Sequence, residues 1–193
     1  LLDGDDFTLR SGGGAFDLKN VWGKDDITAI APFYGQLAVF GKNNIALYSR
    51  PDSVSQMQLS EVIRGIGCIA RDSVQNTGED ILFLSTTGIR SLSRTIQEKS
   101  QPMRDISKNV RDDVIQAINA ENINLIKSVY SPINAFYLIT FPTSQQTFCF
   151  DTRAPLEDGS FRATIWPSVS PKGFLSIDST LYFAEANGVA EYR

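Results

Sequence analysis

QLAVFGKNNIALYS (residues 36–49), ILFLSTTGIRSLSR (81–94) and TLYFAEANGVAEYR (180–193) follow one pattern: an apolar run, a short polar turn with Gly or Asn, then a second apolar run. Such a pattern reads as a β-hairpin. A fourth copy begins near Ala135. The copies start at Gln36, Ile81, Ala135 and Thr180, so they recur about 45, 54 and 45 positions apart. A period of roughly 40–50 residues with several strands per unit is the signature of a β-propeller.

Each hairpin has a strand candidate in front of it: ITAIAPF (27–33), GIGCIAR (65–71), LIKSVYS (125–131) and GFLSID (173–178). Outer strands are expected at MQLSEV (57–62) and FRATIW (161–166). The middle strands are apolar without interruption, which predicts burial on both faces. The fourth copy lacks a following strand. DFTLR (6–10) or AFDL (15–18) is expected to complete it, because a ring of sheets otherwise leaves raw edges. The fold class expected is therefore all-β, a propeller of about four antiparallel blades. Residues 1–193 are read as a single propeller domain. The chain begins at Leu1 and ends at Arg193 inside an apparent strand, so a fragment of a larger protein is expected.

One segment breaks the strand pattern. In MRDISKNVRDDVIQAIN (103–119), Ile106, Val110, Val114, Ala117 and Ile118 share one helical face. A helix is expected over about 105–119, capped by Asp105 or Ser107, with Asp112 and Asp113 in its early half. Its apolar stripe is expected to dock against the sheets.

Composition narrows the function. Hydrophobic residues make up 42% and charged residues 21% of the chain, and the net charge is -4. That is a globular composition, without the clustered Lys and Arg of a protein gripping nucleic acid. No apolar stretch approaches a membrane span. There is no His, which removes Ser–His and Cys–His nucleophile systems and the usual zinc sets. Cys68 and Cys149 are expected to be reduced thiols, as suits assembly in a reducing cytosol. The carboxylate pairs Asp25/Asp26, Glu79/Asp80, Asp112/Asp113 and Glu157/Asp158 are poor catalytic pairs, since strand neighbours point to opposite faces, and Glu157/Asp158 in APLEDGS read as solvated turn charges. A composite glycosidase site remains the rival reading of them. SGGGAFD (11–17) lacks the Lys-Ser/Thr of a phosphate loop, and DGDD (3–6) lacks the closing Glu of a calcium loop. Trp22 and Trp166 are read as core residues, with sugar stacking as the alternative. Tyr34, Tyr48 and Tyr130 are expected to pack between blades. No catalytic residue, cofactor or metal is expected.

FYGQLAVFGKNNIALYS (33–49), DILFLSTTGIRSLSR (80–94), MRDISKNVRDDV (103–114) and FYLITFPTSQQTFCFDTRAPLEDGSFRATIW (136–166) resemble the tail nozzle proteins of short-tailed bacteriophages, also called tail tubular protein B. The resemblance runs from about Asp25 to Arg193. It implies the propeller domain of a virion structural protein that is not an enzyme. It further implies a homo-oligomeric ring that contacts portal, adaptor and fibre subunits. DNA would pass through that ring without sequence-specific binding. The implied location is the phage tail, assembled in the host cytoplasm. A propeller binding envelope glycan is the alternative function.

Overall fold

The computed structural model describes residues 17–53, 55–98 and 105–192. Contacts divide the chain into two compact units, residues 1–67 and 68–193. The architecture is all-β: four antiparallel sheets and a few short helices.

The first unit opens with a one-turn helix, α1 (Lys19–Trp22), whose first N–H is held by Asp17 Oδ1 at 2.8 Å. Then come β1 (Ile27–Phe33), β2 (Gln36–Gly41), β3 (Asn44–Ser49) and β4 (Gln58–Arg64), paired in that order. The β1–β2 hairpin closes on Tyr34 and Gly35, both at positive φ (45° and 72°). Two such residues give the turn whose twist matches the flanking strands. One face of the sheet carries Val39, Ala46 and Tyr48 and is covered by Trp22 of α1. On the other face Ala38, Phe40, Ile45, Leu47 and Ile63 are buried as well.

Asp25 locks the β2–β3 turn. Its carboxylate accepts the N–H groups of Lys42 (3.1 Å) and Asn43 (2.9 Å) and the Asn44 side-chain amide (2.7 Å). Burial raises its pKa, but these hydrogen bonds outweigh burial and hold the carboxyl below its ordinary value. Gly41 is the price of this closeness: a Cβ there would meet Asp25 Oδ2 inside 3.0 Å.

In the second unit, β5 (Gln75–Asn76), β6 (Ile81–Ser85) and β7 (Gly88–Ser91) form a three-stranded sheet. It is followed by α2 (Leu92–Glu98) and α3 (Arg111–Ala120). The next sheet is β8 (Lys127–Ser131), β9 (Phe136–Phe141), β10 (Gln146–Asp151) and β11 (Arg162–Pro167) in sequential order. The last is β12 (Gly173–Ile177), β13 (Thr180–Glu185) and β14 (Gly188–Glu191). The sheets stack. One face of β8–β11 meets β6, β7 and α3 through Tyr137, Ile139, Phe148 and Phe150 against Leu82, Leu84, Ile89 and Val114. The other meets β12–β14 through Val129, Phe136 and Leu138 against Leu181 and Phe183.

Most strand expectations hold. ITAIAPF is β1 residue for residue, and the expected outer strands are β4 and β11 within two positions. Double-sided burial holds for β3, β6 and β9 but not for β13, whose residues alternate between buried and open before its exposed end. GIGCIAR is not a strand. Gly65 turns the chain at φ 79°, a 3-10 turn occupies Arg71–Ser73, and the strand beside β6 is only Gln75–Asn76. The edge of β6 is served piecemeal instead. Ile69 N–H donates to the Leu84 carbonyl (2.9 Å), and the Leu84 N–H donates to Ser73 Oγ (2.9 Å).

The expected helix is shorter and later than the sequence suggested. Residues 108–110 make a 3-10 turn, and Val110 caps α3 without a side-chain hydrogen bond. Asp105 and Ser107 are not caps because both are committed elsewhere. Ile106 N–H donates to the Ile89 carbonyl (2.9 Å), Phe161 N–H donates to the Ile106 carbonyl (3.0 Å), and Ile89 N–H donates to Ser107 Oγ (2.9 Å). This stitch ties residues 105–107 to β7 and to the approach of β11, so they cannot join a helix. The apolar stripe docks as expected: Val114 and Ala117 are buried, and Val110 and Ile118 pack beside them.

α1 and α2 were not expected. The signal for α2 is Ser91, whose Oγ accepts the Arg94 N–H at 3.2 Å as an N-cap. The closing strand at 6–10, glycines 12–14 and the acidic residues 3–6 lie outside the described residues. Of residues 15–18, Asp17 and Leu18 lead into α1 and form no strand.

Candidate functional site

Strand alternation sends Phe174, Leu181, Phe183 and Ala190 of the last sheet inward, where Trp166 stacks on Tyr192 (5.9 Å between ring centres, 6° between planes). The same alternation sends Leu175, Ile177, Tyr182, Ala184 and Val189 outward. Register groups them: Leu175 lies opposite Tyr182, and Ala184 opposite Val189. They line an apolar groove of about 330 Å³ together with Gly173 and Phe174. Leu175 is 55% exposed, Ile177 48% and Val189 73%. Among the described residues nothing covers this face, which sets it apart from scattered exposed side chains and makes it a candidate contact surface. No Asp, Glu, Lys or Arg is among the described residues that line the groove.

The expected carboxylate pairs do not converge. Asp25 is spent on the β2–β3 turn and Asp26 on an exposed ion pair with Lys42 (2.9 Å). Asp80 accepts from Ile81 and Ser93 N–H at the start of α2. Asp112 and Asp113 sit exposed in the first turn of α3. Asp158 accepts from Ser160 and Lys108, while Glu157 is exposed. Among the described residues no three His, Cys, Asp or Glu side chains group as a metal site.

Trp22 is buried under the first sheet and Trp166 packs between the last two, so neither offers a stacking platform. Tyr34 departs from the expected packing: it is 72% exposed at the tip of a hairpin. Tyr48 is buried beside Trp22. Both cysteines are free thiols. Burial, with a further push from Asp151, raises the Cys149 thiol to about 11. Thiolate is the reactive form. We therefore expect Cys149 to react with a thiol reagent at pH 8 about two orders of magnitude more slowly than a free cysteine. Labelling followed by peptide mapping reads this, and rapid labelling of Cys149 in the native protein would contradict it.

Sequence reading missed a buried polar cluster. Asp105, with no side-chain exposure, accepts from Arg111 Nε at 2.9 Å, and Arg111 Nη2 lies 2.7 Å from the same Oδ2. Arg90, almost fully buried, donates to Ser85 Oγ (3.1 Å) and Thr87 Oγ1 (2.8 Å) nearby. Burial raises the Asp105 pKa, and the attraction of Arg111 and Arg90 recovers only part of the shift. A carboxyl raised in the folded state contributes stability at low pH that is lost as pH climbs through the raised value. The stability of Asp105→Asn relative to wild type should therefore increase as pH climbs above the ordinary carboxylate range. Urea unfolding at a series of pH values measures the difference, and a decrease with pH would overturn the assignment.

No protein-family model and no curated protein matches the chain. Solved structures give a loose likeness to two computationally designed proteins. Ika8 matches with TM-score 0.46 and 10% identity over 86% of this chain, which spans 44% of that chain. Ika4 matches with TM-score 0.48 and 10% identity, over 88% of this chain and 91% of that one. Among the described residues no helix is long and apolar enough to cross a membrane.

Proposed function

We propose that this chain is a virion structural protein, the propeller domain of a short-tailed phage tail nozzle. It works by shape and not by covalent chemistry. In this reading the four sheets are the blades of a propeller left open between the last blade and the first, and an N-terminal strand at residues 6–10 completes the last of them. The full-length protein forms a homo-oligomeric ring that meets portal or adaptor and fibre subunits. That ring sits in the phage tail after assembly in the host cytoplasm. DNA slides through it, in keeping with a net charge of -4 and a sequence without runs of Lys or Arg that would retain phosphate.

The observation that carries the reading is the open apolar face of β12–β14, a surface suited to a protein neighbour. Its groove is lined mostly by aliphatic side chains and by no Asp, Glu, Lys or Arg, which offers a charged substrate little to bind. The glycan-binding alternative calls for grouped exposed aromatics, and the two tryptophans are packed instead.

The test joins Leu175→Asp with Val189→Asp. Both side chains are more than half exposed, so folding should survive with stability changed by roughly 0.5 kcal/mol per site. Incorporation into tails should fall at least tenfold, read by quantifying the protein in purified particles. Electron microscopy of wild-type particles labelled through this domain locates it directly. Normal incorporation of the double variant, or a label away from the tail, would overturn the proposal.

A further inference from the structure

We draw no further inference here: the strongest candidate, the apolar outer face of the β12–β14 sheet around Leu175, Tyr182 and Val189, belongs to the contact surface already described, and nothing in the structure shows which chain covers it.

Discussion

Phe148→Ala should lower the unfolding free energy of the second unit by about 3–5 kcal/mol. Phe148 has no exposed surface. It meets Phe141 edge-on at 5.6 Å and lies stacked over Phe150 at 6.5 Å, in the core where β8–β11 packs on β6, β7 and α3. Truncation removes the transfer energy of a phenyl ring and leaves a cavity lined by side chains already fixed by neighbours. Rigid strand backbone on both sides limits collapse into the space. A domain's whole stability is of order 5–15 kcal/mol, so the variant should be only marginally folded at 37 °C. Denaturant unfolding gives the number. Leu175→Ala is the contrast, since its side chain is half in solvent, and it should change stability by under about 1 kcal/mol. Equal losses at the two positions would mean that the core has been misplaced.

What the sequence announced was the part whose physics is local. Apolar runs around Leu37–Phe40 and Ile45–Tyr48, with a polar turn between, can only bury themselves as a hairpin, and β2 and β3 do so. The 3.6-residue stripe of Val110, Val114, Ala117 and Ile118 likewise found its own core. The failures have a different origin. Residues 65–71 look extended and apolar, yet the positive φ of Gly65 turns the chain and Gly67 packs on the 41–43 turn instead of pairing in a sheet. Asp105 and Ser107 look like helix caps, but the Asp105 carboxylate is taken by the Arg111 side chain and Ser107 by the Ile89 N–H of β7, and these contacts displace the local motif. The open face was illegible for a related reason. Leu175, Ile177, Tyr182 and Val189 read as ordinary core, and alternation alone does not say that one side of a sheet lacks a cover.

Gly67→Ala should cost about 3 kcal/mol, the upper end of what overpacking exacts. The φ of Gly67 lies outside the left-handed region, so the cost comes from space and not from φ. An added Cβ would meet the Gly41 carbonyl oxygen, the Lys42 carbonyl carbon and the Asn43 nitrogen, all inside 3.0 Å. These three are main-chain atoms and cannot swing aside as a side chain would. They also belong to the turn that Asp25 holds through Lys42 and Asn43. Relief therefore requires moving the turn and weakening those hydrogen bonds with it. Two other glycines separate the causes. Gly65 has φ 79° and open space around a Cβ, so alanine there should cost only the strain of a left-handed residue, about 1 kcal/mol. Gly173 has ordinary φ and nothing nearer than the Ala184 Cβ at 3.8 Å, so alanine there should be nearly neutral. Unfolding midpoints in the order Gly67→Ala below Gly65→Ala below Gly173→Ala support the packing of the 41–44 turn on Gly67. A Gly67→Ala protein as stable as wild type would mean that the turn lies farther away and that Asp25 holds it from another direction.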